Sequence, residues 1–272
     1  MAGGAVAHRN FSYSRLQTFK QCPAQYRFRY IDHLKPTGRS IESFLGICQH
    51  QTLEWLYRER LAGHEVIFDQ VLERYRAIWS DGWGDDIRIA RPSWSTDDYY
   101  QLGMRSLAGF YRQYAPFKEP VAGTEQSLSF DLDGSGRYPM RAILDRLDHH
   151  GGGHWSIHDY KTGRRVLTPT QAQGDLQMKV YFQALLATRE DVDQVDVVWH
   201  FLRHGLEVRL NRVEWNSKRI IGMLGKRIDQ VREAEKRPET LEPNETVLCN
   251  WCYYWDVCQA KQGQEHPARR AG

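Results

Sequence analysis

The chain has 272 residues, 41% of them hydrophobic and 26% charged, which fits one sizeable globular domain or two small ones and excludes a fibrous or low-complexity chain. Its 12% aromatic content excludes an intrinsically disordered chain. The net charge of +3 neither identifies a nucleic-acid partner nor opposes one.

Residues 1–10 are small and polar and read as a loose tail. Ser12 or Ser14 is placed to cap a first helix, and Pro23 breaks or restarts it. Ile41, Phe44, Leu45, Cys48 and Leu56 recur at helical spacing and predict a long helix over 41–61. Two more helices are expected over 69–79 and 96–114, with a Gly-, Asp- and Trp-rich loop over 81–95 between them. Pro116 and Pro120 then mark a boundary, after which the period changes. Residues 121–132 and 138–148 read as strands joined by the turn Asp133-Gly134-Ser135-Gly136, and 154–161 as a third strand. A helix over 175–188, a strand pair over 195–202 and 206–215, and a helix over 217–235 follow. The order predicts an α/β fold with a central mixed sheet and helices around it.

No run of about 18 apolar residues occurs, so no transmembrane helix is expected. Met1–Asn10 holds no apolar stretch of signal-peptide length, and the expected location is the cytoplasm. Thiols stay reduced there, so the five cysteines need an account other than disulfides.

The chemistry concentrates in Asp145-Arg146-Leu147-Asp148 and Asp159-Tyr160-Lys161-Thr162-Gly163. Side chains alternate along a strand, so Asp159 and Lys161 share a face, and pairing of the two strands can set Asp145 beside Asp159. Two close carboxylates repel unless a cation neutralises them. Mg²⁺ prefers such oxygen ligands, and a lysine alongside can hold an attacking water or developing phosphate charge. An Asp-x-Lys pair alone is equally an ordinary surface pair.

The wider pattern resembles the RecB-like branch of the PD-(D/E)XK nucleases. A strand ending in Asp-Arg-x-Asp is followed by Asp-Tyr-Lys-Thr-Gly, as in that branch. Ser14-Arg15-Leu16 with Cys22-Pro23 resembles its N-terminal signature, and Gly46-x-x-x-His50 its helical histidine motif. Glu125 stands at the start of a strand as in its first motif, and Gln177 to Tyr181 resembles its Gln-x-x-x-Tyr helix. The resemblance implies a restriction-endonuclease-like core in which Asp145, Asp159 and Glu125 are site acids and Lys161 is the catalytic lysine. It implies metal ligands in His50, Asp145, Asp159 and the Tyr160 carbonyl, with Mg²⁺ or Mn²⁺ as the ion. An imidazole ligand favours Mn²⁺ somewhat. For Glu125 the choice between orienting His50, a water or a second metal and being a plain strand residue stays open. Gln177 and Tyr181 share a helix face and would contact the DNA backbone or buttress Lys161.

Cys249, Cys252 and Cys258 form a C-x2-C-x5-C cluster, which needs a fourth ligand. Cys22 can supply it if the chain ends meet. The one-plus-three arrangement resembles the iron–sulfur nucleases of this branch, including AddB-type and CRISPR-associated members, and implies a 4Fe-4S cluster; zinc is the alternative. Trp251, Tyr253, Tyr254 and Trp255 would shield the group, fill a core or stack on bases. Cys48 reads as a buried small residue.

The resulting expectation is one nuclease domain over 1–272: a helical arch over 40–118, a nuclease core over 121–235, and a staple of Cys22 with 249–258 that links the chain ends. The implied activity is metal-dependent DNA hydrolysis, with an exonuclease on single-stranded ends favoured because an arch suits threading. DNA repair, recombination or CRISPR spacer processing are the implied settings, with a helicase or CRISPR integrase as partner. The alternative is a non-catalytic nucleic-acid-binding module holding iron–sulfur or zinc. Three weaker signals remain. His149, His150, His154 and His158 surround a Gly-rich strand connection and read as polar residues of a solvated loop, with a second metal site as the alternative; Arg164-Arg165 reads as a phosphate contact or a solvated pair, and Arg269-Arg270 as a tail.

Overall fold

The structure is a computed structural model that describes residues 10–270, so the expected N-terminal tail lies outside the described residues save for Asn10. Ser12 caps α1 (Tyr13–Gln21) by accepting from the Arg15 amide at 3.2 Å. Cys22 ends that helix and caps α2 (Pro23–Tyr30), whose proline sits where no amide donor is needed. The Cys-Pro pair is thus a hinge between two helices. β1 (Arg39–Ser40) leads into α3 (Ile41–Leu61), capped by the Ser40 hydroxyl. α4 (Phe68–Gly82), β2 (Ile87–Ile89) and α5 (Thr96–Tyr114) complete a helical block.

The central sheet then forms from β3 (Val121–Asp131), β4 (Pro139–His149) and β5 (His154–Lys161). After α6 (Pro169–Gly174) and α7 (Leu176–Thr188) come β6 (Gln194–Phe201), β7 (Leu206–Leu210), α8 (Ser217–Glu235) and β8 (Arg269–Arg270). The five-stranded order is β3-β4-β5-β6-β7, with β5 and β6 parallel and the other neighbours antiparallel. The expected mixed α/β sheet is therefore present.

Two apolar cores clamp the sheet. Leu144, Leu147, Ile157, Val197 and Trp199 pack with α1, α7 and α8 on one face. Tyr160 and Leu202 pack with α3, α4 and α5 on the other. In a half-buried strand one face carries apolar side chains; here helices cover both faces, and β6 is buried along nearly its whole length.

Four details depart from the sequence reading. The 81–95 segment contains β2, which pairs parallel with β1 and antiparallel with β8. Arg269-Arg270 is that third strand and not a loose tail. The second strand of the last pair stops at Leu210, not Trp215, because Arg212 takes φ 46° and its amide donates to Asp196 at 2.8 Å, turning the chain away. His158 is not a turn residue: it lies inside β5 and is 2% exposed.

His158 belongs to a buried polar network between the sheet and the helical block. Arg146 is 1% exposed and Asp148 2%. Arg146 donates to the Tyr57 hydroxyl, and its Nε lies 3.0 Å from Asp148. His158 meets Asp148 at 3.0 Å and His200 at 2.9 Å, and His200 meets the Tyr114 hydroxyl at 2.9 Å. Burial, reinforced by the Arg146 cation, pushes His158 down to about 4 against the pull of Asp148. Burial and the neighbouring His158 and Arg146 push His200 well below its usual value.

A stability slope follows. An unfolded imidazole takes up its proton near pH 6.5, whereas folded His158 refuses it until about pH 4. The unfolded chain then binds more protons between those values, so stability falls as pH drops through that window. The expected loss from His158 is about 2 kcal/mol by pH 5. Urea midpoints at pH 7.5 and pH 5 read it, and equal slopes in the wild type and His158→Gln would contradict the assignment.

Candidate metal centre and cysteine site

Register builds the centre. Arg146 pairs with His158 and Leu147 with Ile157, so the next step along the same register sets Asp145 opposite Asp159. On the other side, Thr124 pairs with Arg146 and Gln126 with Leu144, which sets Glu125 opposite Asp145. Three carboxylates thus stand in a row across three strands. Glu125 adopts φ 46°, a left-handed backbone that a non-glycine residue rarely takes. That conformation costs about 1–2 kcal/mol and turns its carboxylate toward the row.

α3 supplies the fourth group. A Cβ on Gly46 would come within 3.1 Å of the Thr162 hydroxyl, so the glycine lets the helix lie close to the end of β5. One turn later His50 reaches the centre: Nε2 is 2.9 Å from the Tyr160 carbonyl, and Nδ1 is 3.5 Å from Asp145 and 3.9 Å from Glu125. His50, Glu125 and Asp145 offer donor atoms that all lie within 4.8 Å of one another. Asp145 also accepts from the Tyr160 amide at 2.7 Å. Burial disfavours a charged His50, but the Asp145 and Glu125 carboxylates outweigh it and hold its pKa well above the usual imidazole value.

Asp159 stands just beside that trio. Its Oδ2 lies 2.7 Å from the Lys161 ammonium, and its Oδ1 accepts from Gln177 at 3.0 Å. Lys161 also donates to the Gln177 carbonyl at 2.7 Å, and Gln177 donates to the Tyr181 hydroxyl at 2.7 Å. Burial raises the Asp159 carboxyl and Asp145 adds to it, while Lys161 works against both. Burial opposes charge on Lys161, but Asp159 outweighs it and keeps the ammonium protonated. Gln177 sits in the first turn of α7, which Asp175 caps through the Met178 amide. Gln177 thus contacts Lys161, Asp159 and Tyr181 at once. The donor set of one imidazole, carboxylates and a backbone carbonyl suits Mg²⁺ or Mn²⁺.

The cysteine site lies at the meeting of the chain ends. Cys22, Cys249 and Cys252 line one cavity with Gln25 and Asn244. Cys22, Cys252 and Cys258 pack around Ala24, Phe28 and Tyr254. The Cys22 sulfur accepts from the amides of Gln25 and Asn244 at 3.5 Å, and Gln25 reaches Cys252 at 3.9 Å. Burial pushes the Cys252 thiol up to about 11, with the other three thiols adding to it. Further bonds hold the ends together independently: Asn244 donates to the Gln21 carbonyl at 2.9 Å and Thr37 to the Tyr253 carbonyl at 3.0 Å. Cys48 is buried on α3, as expected for a core residue.

The five-stranded mixed sheet flanked by helices is the fold of a PD-(D/E)XK core. The model of the PD-(D/E)XK nuclease superfamily matches residues 10–259, and the chain belongs to that superfamily. Its members are phosphodiester hydrolases that use divalent metals, and the His50, Glu125 and Asp145 group is such a metal-compatible cluster. Among curated proteins none matches the chain. Thirteen solved chains match. One, the crystal structure of SSO0001, is 13% identical over 91% of this chain and 96% of that one, with a TM-score of 0.35. No helix among the described residues is long and apolar enough to cross a membrane.

The sequence reading did not single out His200, and it quoted Arg146 and Asp148 only as motif letters. A period-two reading of β4 and β5 would have found Arg146 and Asp148, since it sets them with His158 on the face away from Asp159, whereas His200 stands on β6 beside Tyr160.

Proposed function

We propose that this chain is a metal-dependent deoxyribonuclease working as an exonuclease on single-stranded ends. The observation that carries the reading is the row of Glu125, Asp145 and Asp159 closed by His50 on one side and Lys161 on the other. His50, Asp145, Asp159, Glu125 and the Tyr160 carbonyl would hold the cation. When bound, the ion would neutralise the carboxylates, polarise the scissile phosphate and make a water more nucleophilic. The residues do the rest. Lys161 offers a positive hydrogen-bond donor to charge that grows on the phosphate. Gln177 fixes the Lys161 ammonium, and Tyr181 fixes Gln177.

A groove of about 490 Å³ runs beside the centre, lined by Glu42, Gly46, His50, Glu54, Glu125 and Thr162. Its position between the helical block and the sheet supports entry of one strand. The chain carries no phosphate-binding G-x-x-x-x-G-K-[ST] motif, so unwinding would come from a helicase partner, and work beside a CRISPR integrase in spacer processing fits the same chemistry.

The test is cleavage of end-labelled single-stranded, double-stranded and circular DNA with Mn²⁺ or Mg²⁺. Loss of linear single strands with circles spared, and arrest by a chelator, is the expected result. Circles cut as fast as linear strands would refute the end preference, and no cleavage of any DNA would shift the reading to a binding module.

Cys22, Cys249, Cys252 and Cys258 would hold a 4Fe-4S cluster that ties α1 and α2 to the C-terminal segment. Among the described residues no three thiol sulfurs lie within 4.8 Å of one another. The purified protein should be brown, and Cys22→Ser should lose the visible absorbance and melt earlier. A colourless protein containing zinc would overturn the cluster.

A further inference from the structure

A second basic feature lies outside the metal centre, at the ends of β5 and β6. Arg91 and Arg203 place their guanidinium carbons 5.7 Å and 5.2 Å from the centroid of the Trp94 ring. Arg164 follows β5 by three residues, and the imidazole of His204 meets its carbonyl at 2.8 Å. Arg105 projects from α5, exposed, toward the same group. The four cations crowd one another: Arg203 is pushed below its usual value by burial and then by Arg164, Arg91 and Arg105. Among the described residues Arg105, Arg164 and Arg203 make no ion pair. Glu42 lies 3.7 Å from Arg91 and is already bonded to the Tyr99 hydroxyl at 2.7 Å, and Asp98 stands within electrostatic reach of Arg105. The Arg91 Nη1 atom is buried with no hydrogen-bond partner among the described residues.

This patch continues the groove. Glu42, Gly46 and His50 lie at successive turns along α3 and all line it, and Glu42 is the contact with Arg91. Eight residues of helix separate Glu42 from His50, about 12 Å. The arginines thus stand at the mouth of the groove, a short span from the metal centre.

We propose that Arg91, Arg105, Arg164 and Arg203, set around Trp94, form a docking platform for the sugar–phosphate backbone of the DNA strand next to the scissile bond. The proposal rests on the nuclease reading and adds a binding site to it. Guanidinium groups match phosphate oxygens in pairs of hydrogen bonds, and Trp94 holds two of them in place by cation–π contact. A phosphodiester chain relieves the mutual repulsion of the four cations.

The test is fluorescence anisotropy of a labelled oligothymidylate against the full chain in EDTA, where no cleavage occurs, across a KCl series. Arg164→Gln/Arg203→Gln should weaken binding about tenfold and flatten the salt slope by about 1.4, the value for two lost contacts to a single strand. Lys218→Gln/Lys226→Gln, on α8 away from the groove, removes the same charge and should change binding little. Circular dichroism checks that each variant folds, and Arg164→Gln alone, at an exposed position, should show half the slope change. Equal losses in the α8 control and the Arg164→Gln/Arg203→Gln variant overturn the platform, as does wild-type affinity in that variant while cleavage of DNA persists. A wild type that neither binds nor cuts DNA overturns the nuclease reading as well.

Discussion

Lys161→Ala should lower the rate of phosphodiester cleavage by about 10²–10³, the usual effect of removing one donor aimed at growing transition-state charge. Asp159→Ala should lower it at least as far, because it removes a proposed cation ligand and the carboxylate that holds Lys161 at 2.7 Å. The two effects should not add. Lys161, Asp159 and Gln177 form one bonded unit, and once either charged member is gone the other has lost its geometry. Gln177→Ala should give a smaller loss that falls on kcat more than on KM, since Gln177 positions Lys161 and need not touch substrate. Cleavage of an end-labelled strand over a range of substrate concentrations compares the wild type, the three single variants and Asp159→Ala/Lys161→Ala. Retention of half the wild-type rate by Lys161→Ala would remove Lys161 from the chemistry, and additive losses would dissolve the proposed unit.

Arg146→Met should cost about 3–5 kcal/mol of folding stability, the range for breaking a buried ion pair by removing one partner. At about 2–4 °C per kcal/mol for a domain of this size, the melting temperature should fall by roughly 10 °C. Arg146 is the single cation among Asp148, Tyr57 and His158, all deeply buried. Removal strands the Asp148 carboxylate away from water with His158 as its remaining partner. Arg146→Met/Asp148→Leu should recover part of the loss, because a matched apolar pair leaves no orphaned charge. Thermal and urea unfolding test this. A double variant less stable than the wild type by the sum of the two single losses would show that the pair does not act as one.

Much of this molecule was legible in its residues. Period-two spacing set Asp159 and Lys161 on one face, and period 3.6 set Gln177 beside Tyr181 and Gly46 beside His50, because alternation and helical pitch are local properties. Pro23 at a helix start and the Asp133-Gly134-Ser135-Gly136 turn were local as well. The two-residue strands were not legible, since Arg39–Ser40 and Arg269–Arg270 carry no pattern of their own and exist only as partners of Ile87–Ile89. His158 was misread for a related reason. Four histidines near three glycines look like a solvated turn, and only the pairing of β5 with β4 and β6 shows which of them the sheet buries.

The sequence by itself determined the types of chemistry: carboxylates with a lysine, a histidine on a helix, and four cysteines split between the chain ends. It did so because those choices are written in short segments whose geometry the backbone dictates. Tertiary structure alone decided which groups meet. Glu125 joins the row because a left-handed residue and strand register bring it opposite Asp145. Asp159 turns to Lys161 and Gln177 because α7 packs against β5. Arg91 and Trp94 from one loop meet Arg164 and Arg203 from the ends of two strands. Such meetings join residues up to about a hundred positions apart, and they are set by the packing of two cores on one sheet, which no local period encodes.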